Sequence, residues 1–249
     1  CSGTMRGVLR LGSLESAAGA RLPPVLSAFH AKHPEVSVEL QTGTTGTLLR
    51  RLEHFEVEAA FVSEPFEKGS LSSRPAFEEE LVLITAKGSP ALQRPADLGG
   101  RTLVVFPHGC SYRRRLHEWL AEGGISPGRV LDLGSYHAIV ACVAGGTGVA
   151  IVPAEMLDHA VLGSAVQRHP LPLRLRVNYT HLVWSGEASP ALQGLIDLLP
   201  SSHDASKGEN TLPFTTGTDA KTSRREKEPR SSRRRSVSAG HGDWSAVNA

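Results

Sequence analysis

Val8-Leu9-Arg10-Leu11-Gly12 opens the stretch, residues 8–62, whose reading decides the fold. It is a short β-type run ending in glycine, and Ser13 to Gly19 follows as a small, polar loop. Leu22, Val25, Leu26 and Phe29 then recur at the spacing that sets them on one face of a helix, and Lys32-His33-Pro34 supplies the basic residues and proline expected at its end. Val36, Val38 and Leu40 alternate with Ser37 and Glu39, the period-two signature of a half-buried strand. That strand runs into Thr42-Gly43-Thr44-Thr45-Gly46-Thr47. Leu48, Leu49, Leu52 and Phe55 predict a second helix, and Ala59-Ala60-Phe61-Val62 a short buried strand. Strands and helices in this alternation imply a parallel α/β sheet with right-handed crossovers.

The pattern repeats outward from that stretch. Leu81 to Ile84 reads as a strand, residues 88–99 with Pro90 and Pro95 as a loop, and Leu103 to Phe106 as a further strand. Tyr112 to Ala121 is helical, with Leu116, Trp119 and Leu120 as its apolar stripe and Gly123-Gly124 as its stop. Val130 to Leu133 is a strand, Ser135 to Ala144 a helix, and Gly145-Gly146-Thr147-Gly148 a tight turn into the buried strand Val149 to Val152. Arg176 to Trp184 gives a last strand and Pro190 to Leu199 a last helix. Beyond Pro200 no apolar face recurs, so 201–249 is expected to be a disordered tail that cannot offset its ordering entropy.

The formal charge of +2 over 249 residues conceals a division. Residues 201–249 carry nine basic and six acidic side chains, which leaves residues 1–200 with a net of −1. A near-neutral body without a basic stripe is not built to grip nucleic acid by itself. The basic excess sits in Lys221–Arg235, where it could give weak, salt-sensitive, non-specific contact with DNA; the preferred reading is a tail without a role. Three cysteines (Cys1, Cys110, Cys142) are too few for a disulfide framework, and the apolar run near Val149–Pro153 is too short to span a bilayer. With no secretory leader visible, the expected location is cytoplasmic.

Three polar loops follow the ends of predicted strands: Ser13–Ser16, Thr42–Thr47 and His108–Ser111. The helix start at Ser135, with Tyr136 and His137, makes a fourth. In open α/β sheets ligands bind at the carboxyl ends of strands, where helix N-termini offer free N–H groups and small hydroxyls leave room for a carboxylate or amide. Ser and Thr at such places also serve as helix caps. The candidate ligand-binding residues are Ser13, Ser16, Thr44, Thr45, Cys110, Ser111, Arg113, Ser135, Tyr136 and His137.

Those residues carry a resemblance. Gly12-Ser13-Leu14-Glu15-Ser16, Leu22-Pro23, Phe29, His33-Pro34, Glu58-Ala59-Ala60-Phe61-Val62, Glu80-Leu81-Val82-Leu83, Gly109-Cys110-Ser111-Tyr112-Arg113, Leu116, Trp119-Leu120, Ser135 and Val143 to Pro153 resemble the effector-binding domain of LysR-type transcriptional regulators. The likeness runs in order over roughly residues 6 to 200. It implies a type 2 periplasmic-binding-protein fold. Two α/β subdomains, 6–84 with 160–200 and 85–159, would be joined by strands crossing near Thr85 and near 155–165, with a small effector between them. By position the family's effector-contacting loops match Ser13, Thr44 with Thr45, Ser135, and Cys110 to Arg113. Arg113 is the cation placed to meet an acidic effector bidentately, so a carboxylate is the expected ligand. The resemblance also implies a homodimer or homotetramer, associating through the Leu22–Phe29 helix. Operator DNA would be bound only through a winged helix-turn-helix preceding Cys1-Ser2-Gly3, with no cofactor and no membrane contact.

Other readings remain open at this point. A transporter's solute-binding protein would share the fold, and Cys1-Ser2-Gly3 resembles the mature start of a lipid-anchored protein. Peroxide-sensing members of the family keep a reactive cysteine in the loop of Cys110, near a helix start and basic residues that lower a thiol pKa. They also carry a resolving cysteine close by, whereas Cys142 lies on another predicted helix. His108 with Cys110, or Ser13 with Glu15 and His137, are the pairs an enzyme would need. No Gly-x-Ser-x-Gly elbow, Walker loop or His-Glu-x-x-His accompanies them, so catalysis is not expected. No Cys-x-x-Cys supports a metal, and His30 and His33 read as surface residues of one helix.

Overall fold

The computed structural model describes residues 5–200; the expected tail at 201–249 lies outside the described residues. The chain runs β1 (Gly7–Ser13), α1 (Leu22–Lys32), β2 (Val36–Thr42), α2 (Thr45–Glu53), β3 (Ala59–Ser63) and β4 (Ser72–Ala86). It continues through β5 (Leu103–Val105), α3 (Ser111–Glu122), β6 (Val130–Asp132), α4 (Tyr136–Ala144), β7 (Ala150–Pro153) and α5 (Ala154–His159). Last come β8 (Val166–Pro170), α6 (Leu173–Arg176), β9 (Val177–Trp184) and α7 (Pro190–Ile196).

The first half follows the expected grammar. β1 lies between β2 and β3, parallel to both, as right-handed crossovers through α1 and α2 require. A Cβ at Gly12 would approach the Leu48 Cδ2 of α2 to 2.8 Å, so the absence of a side chain there lets α2 lie on the sheet. Leu9, Leu11, Leu22, Phe29 and Phe61 join Leu192 and Leu195 of α7 in the core of this lobe.

β4 departs from the expectation. It extends back from the predicted Leu81–Ile84 to Ser72, fifteen residues in all, and its two halves pair differently. Ser72 to Glu80 run antiparallel to β9, which also pairs with β3. Leu81 to Ala86 run antiparallel to β7 and β8. The sheet is therefore mixed rather than parallel. The partner change at Glu80/Leu81 lies a few residues before the crossing expected near Thr85. Because β8 still pairs with the second half of β4, the chain returns to the first lobe between Pro170 and Val177 rather than at 155–165. The second lobe gathers Leu83, Ile84, Leu103, Leu116, Trp119, Ile139, Val143 and Val149 into its own core.

Local departures have identifiable causes. The expected loop at Ser13–Gly19 is helical from Glu15 and passes through a π-type turn, Ala17–Arg21, into α1. Pro23 and Pro24 lack the N–H groups that would close regular turns there, and the wider turn bonds the Leu22 N–H to the Ala17 carbonyl instead. Phe55, expected on the apolar face of the second helix, lies beyond α2 with φ of 57° and is 80% exposed. The Gly145–Gly148 turn is fixed by close approach: Val149 N–H bonds the Thr102 carbonyl at 2.9 Å, and a Cβ on Gly148 would sit 2.0 Å from that oxygen.

Gly148→Ala is accordingly expected to cost about 3 kcal/mol through forced displacement of packed backbone. Gly128→Ala, where the new methyl meets nothing within 4 Å, should stay within about 0.5 kcal/mol. Urea denaturation of the two variants checks both.

Candidate functional site

The carboxyl ends of β1, β2 and β3 and the start of α2 face the starts of α3 and α4 across a cleft. Few contacts close it. Gly46 N–H bonds the Gly109 carbonyl at 3.2 Å and the Thr44 hydroxyl reaches the His108 carbonyl at 3.5 Å. Gly109 has φ of 90°, and a Cβ there would meet Thr44 Oγ1 at 2.8 Å, so only glycine lets the loops approach. Arg114 of α3 also reaches across, donating to the Pro65 carbonyl just after β3 at 2.5 Å, and one further cross-cleft bond ends on a carboxylate. The half-buried Glu15 carboxylate accepts from the Tyr136 N–H at 2.7 Å, at the positive start of α4.

Beneath the cleft lies a buried polar network centred on Glu79, which is 4% exposed. Its Oε2 accepts from the Tyr112 hydroxyl at 2.9 Å, Asn178 Nδ2 at 2.8 Å and the Thr180 hydroxyl at 2.9 Å. Asn178 Oδ1 in turn accepts from the Ser63 hydroxyl at 2.8 Å and from Arg115 at 3.0 Å. Arg115 also donates to the carbonyls of Val177 and Glu64. Burial pulls its guanidinium pKa down, with the Glu64 charge acting in the opposite sense. Burial, followed by the Glu79 charge, pushes the Tyr112 phenol well up; burial and then Tyr112 do the same for Tyr136. Both phenols are therefore neutral, and the Tyr136 ring packs on Phe106 with centroids 4.4 Å apart.

The candidates from sequence divide by environment. Ser13 is fully buried and its hydroxyl donates to the Leu14 carbonyl at 2.9 Å. Thr45 is buried and bridges both backbone groups of Ser63 at 3.2 Å, so it braces α2 against β3. Thr44 caps α2, accepting from Thr47 N–H at 3.3 Å. Ser16 is 1% exposed and its hydroxyl, facing the phenols of Tyr112 and Tyr136, lacks a well-formed hydrogen bond. Ser111 and Tyr136 are buried, Ser135 is half-buried at the start of α4 without a side-chain capping bond, and His137 is exposed. Arg113 is engaged elsewhere: it bonds Asp132 at 2.6 Å and the Phe106 carbonyl at 3.1 Å. Cys110 precedes α3, yet burial outweighs the neighbouring N–H groups of Arg113 and Tyr112 and pushes its thiol pKa up.

The catalytic pairings considered from sequence are not joined by hydrogen bonds among the described residues, since Ser13 and Glu15 have the partners just named. His30 is exposed, but His33 is half-buried on Phe29 and against Gly194, a correction to its surface reading. Among the described residues no group of three or more His, Cys, Asp or Glu could hold a metal, and no helix is long and apolar enough to cross a membrane. Sequence reasoning missed Glu79, Asn178, Thr180 and the cross-cleft bond of Glu15. The signal for Glu79 was present: strand alternation turns the middle of Glu78-Glu79-Glu80 away from the face of its neighbours.

Comparison with known proteins places this geometry. The model of the LysR substrate binding domain matches residues 2–203. The HTH-type transcriptional regulator GltR of Bacillus subtilis (strain 168) is 34% identical over 165 residues, 66% of this chain and 56% of that protein. The chain thus spans little more than half the length of this relative. The effector binding domain of QuiR in complex with shikimate superposes with a TM-score of 0.66 at 18% identity, covering 78% of this chain and 95% of that one. The reduced regulatory domain of OxyR2 from Vibrio vulnificus gives 0.65 at 19% identity, covering 79% and 98%. The fold is the type 2 periplasmic-binding-protein fold, as the resemblance implied.

With Cys1 and Cys142 replaced by serine, Cys110 is expected to react with a disulfide reagent at neutral pH at least about tenfold more slowly than in denatured protein. Its rate should still be rising above about pH 8.5, where an ordinary thiol has titrated. Stopped-flow thiol titration across pH measures this.

Proposed function

Since the chain belongs to the LysR substrate binding domain family, we propose that it is the sensor portion of a cytoplasmic transcriptional regulator whose effector is a small carboxylate bound between the lobes. The cross-cleft bond from Tyr136 N–H to Glu15 carries this reading. A carboxylate already occupies the start of α4, held from the opposite lobe, and the next residue, Ser16, has a buried hydroxyl without a hydrogen-bond partner. An effector carboxylate takes the place of Glu15, accepting from the Tyr136 N–H while Ser16, Thr44 and Ser135 supply hydroxyls. Because the lobes meet through few bonds there, exchanging an internal for an external acceptor shifts their relative populations.

Arg113 has no part in this recognition, being neutralised by Asp132. The working division into subdomains follows the strand pairing, with hinges at Glu80/Leu81 and 171–176. DNA contact belongs to a helix-turn-helix segment such as the relatives' names describe. Association through α1 would use Pro23, Pro24 and Ser27, which are exposed, since Leu22 and Phe29 are buried in their own lobe. The family match favours a regulator over a transporter's binding protein. The burial of Cys110 weighs against a redox sensor. Among the described residues Ser13 and Glu15 are bonded elsewhere rather than to each other, which weighs against the Ser13–Glu15–His137 pairing an enzyme would need.

Isothermal titration with aromatic, aliphatic and hydroxy carboxylates tests the reading. At least one carboxylate should bind saturably, and Glu15→Gln should tighten it about tenfold by weakening the internal competitor. Thr44→Val should loosen it by a similar factor. Failure of every carboxylate, or a Glu15→Gln variant indistinguishable from wild type, contradicts it.

A further inference from the structure

Two arginines stand apart from the rest. Every other arginine side chain among the described residues has a hydrogen-bond or ion-pair partner, Arg74 through three carbonyls and Arg113 through Asp132, for example. Arg101 and Arg129 have none among the described residues. They line the same hollow, about 280 Å³, at the pole of the second lobe where β5, β6 and β7 begin. Ser89, Thr102 and Thr147 line it as well, their hydroxyls without partners among the described residues, and no carboxylate does.

The backbone holds these groups in place. Leu103 N–H bonds the Arg129 carbonyl at 2.9 Å, setting Arg129 beside the strand that Arg101 leads into. The contact of Gly148 with Thr102 brings Thr147 to the same rim, and the turn after β4, with Ser89 N–H on the Ala86 carbonyl at 3.2 Å, closes the other side. Arg101 is half-buried, so its charge is less screened than that of a free surface arginine. The buried His169, held between the Thr85 hydroxyl at 2.8 Å and the Leu92 N–H at 3.1 Å, has its imidazole pKa pulled down by burial and then by the Arg101 charge.

We propose that this hollow is a second binding site, for a small phosphate-type oxyanion. Two arginines, Arg101 half-buried and Arg129 exposed, and three hydroxyl-bearing residues on one lining without a competing carboxylate match the charge and the several acceptor oxygens of a phosphate group. The concave shape favours a free phosphate or phosphate monoester over a DNA backbone, which needs cations along an exposed stripe. The hollow lies at the opposite ends of β5 and β6 from those that lead to α3 and α4 at the cleft, so the site is independent of the carboxylate reading above. Its occupant ties together the starts of three strands and the turn after α4.

Titration of the whole chain with inorganic phosphate at fixed ionic strength tests the assignment. Saturable binding at millimolar concentration or below is expected. Arg101→Gln and Arg129→Gln should each weaken it at least about tenfold, and Arg101→Lys should retain part of it. Arg94→Gln, which alters an exposed arginine paired with Asp97, should leave it unchanged. Glu15→Gln should also leave phosphate binding unchanged, which separates this site from the cleft. Absence of saturable binding, or binding that survives both glutamine variants, as binding by the arginines of 221–235 would, overturns the proposal. So does binding of a short DNA duplex that displaces phosphate and is lost in the same two variants, which would assign the site to the DNA backbone.

Discussion

A carboxylate with almost no exposure sits where the chain passes from one lobe to the other. Glu79 precedes by one residue the point at which β4 changes partners, and its three donors come from α3 in the second lobe and from β9 in the first. A buried carboxylate is tolerable only when its acceptor capacity is met by donors. That requirement ties α3 to the paired strands, and through Asn178 it extends to Ser63 of β3 and to Arg115. The orientation of the second lobe therefore depends on a network that breaks as a unit.

The cleft above this network is closed by few bonds, which is the opposite arrangement. Close approach of Gly46 and Gly109, the reach of Thr44 and the charged bond of Glu15 all lie on its walls. Firm joining at the floor and sparser joining at the mouth would let the proposed effector change the mouth without unmaking the connection below. The same contrast explains why the hydroxyl-bearing residues differ in role. Ser13 and Thr45 brace the walls, whereas Ser16 and Ser135 present polar atoms that the protein's own side chains leave unsatisfied or only partly engaged.

Much of this was legible in the sequence. The β1–α1–β2–α2–β3 unit follows from spacing alone, and the ordered family-like residues implied the two-lobed fold. What was hidden has physical reasons. The front half of β4 carries Arg74, Pro75 and three glutamates, so its alternation is disguised by charges, one of which is turned inward and satisfied by partners from residues far along the chain. β8, Val166-Gln167-Arg168-His169-Pro170, buries a histidine held between Thr85 and the Leu92 N–H, and burial, then the Arg101 charge, pull its pKa down. Arg113 illustrates the converse: its position beside the cleft was readable, but its neutralisation by Asp132 is a tertiary fact. Local pattern fixes which face of an element is buried, and only the assembled chain decides which polar groups on that face find each other.

The claim that the Glu79 network joins the lobes is tested most directly by whether they unfold together. Trp119 lies in the core of the second lobe and Trp184 on β9 in the first. Urea unfolding followed by fluorescence in two chains, each retaining one of these as its sole tryptophan, reports each lobe separately. Identical midpoints and slopes from both probes are predicted; a transition at Trp119 resolved from that at Trp184 would contradict the account.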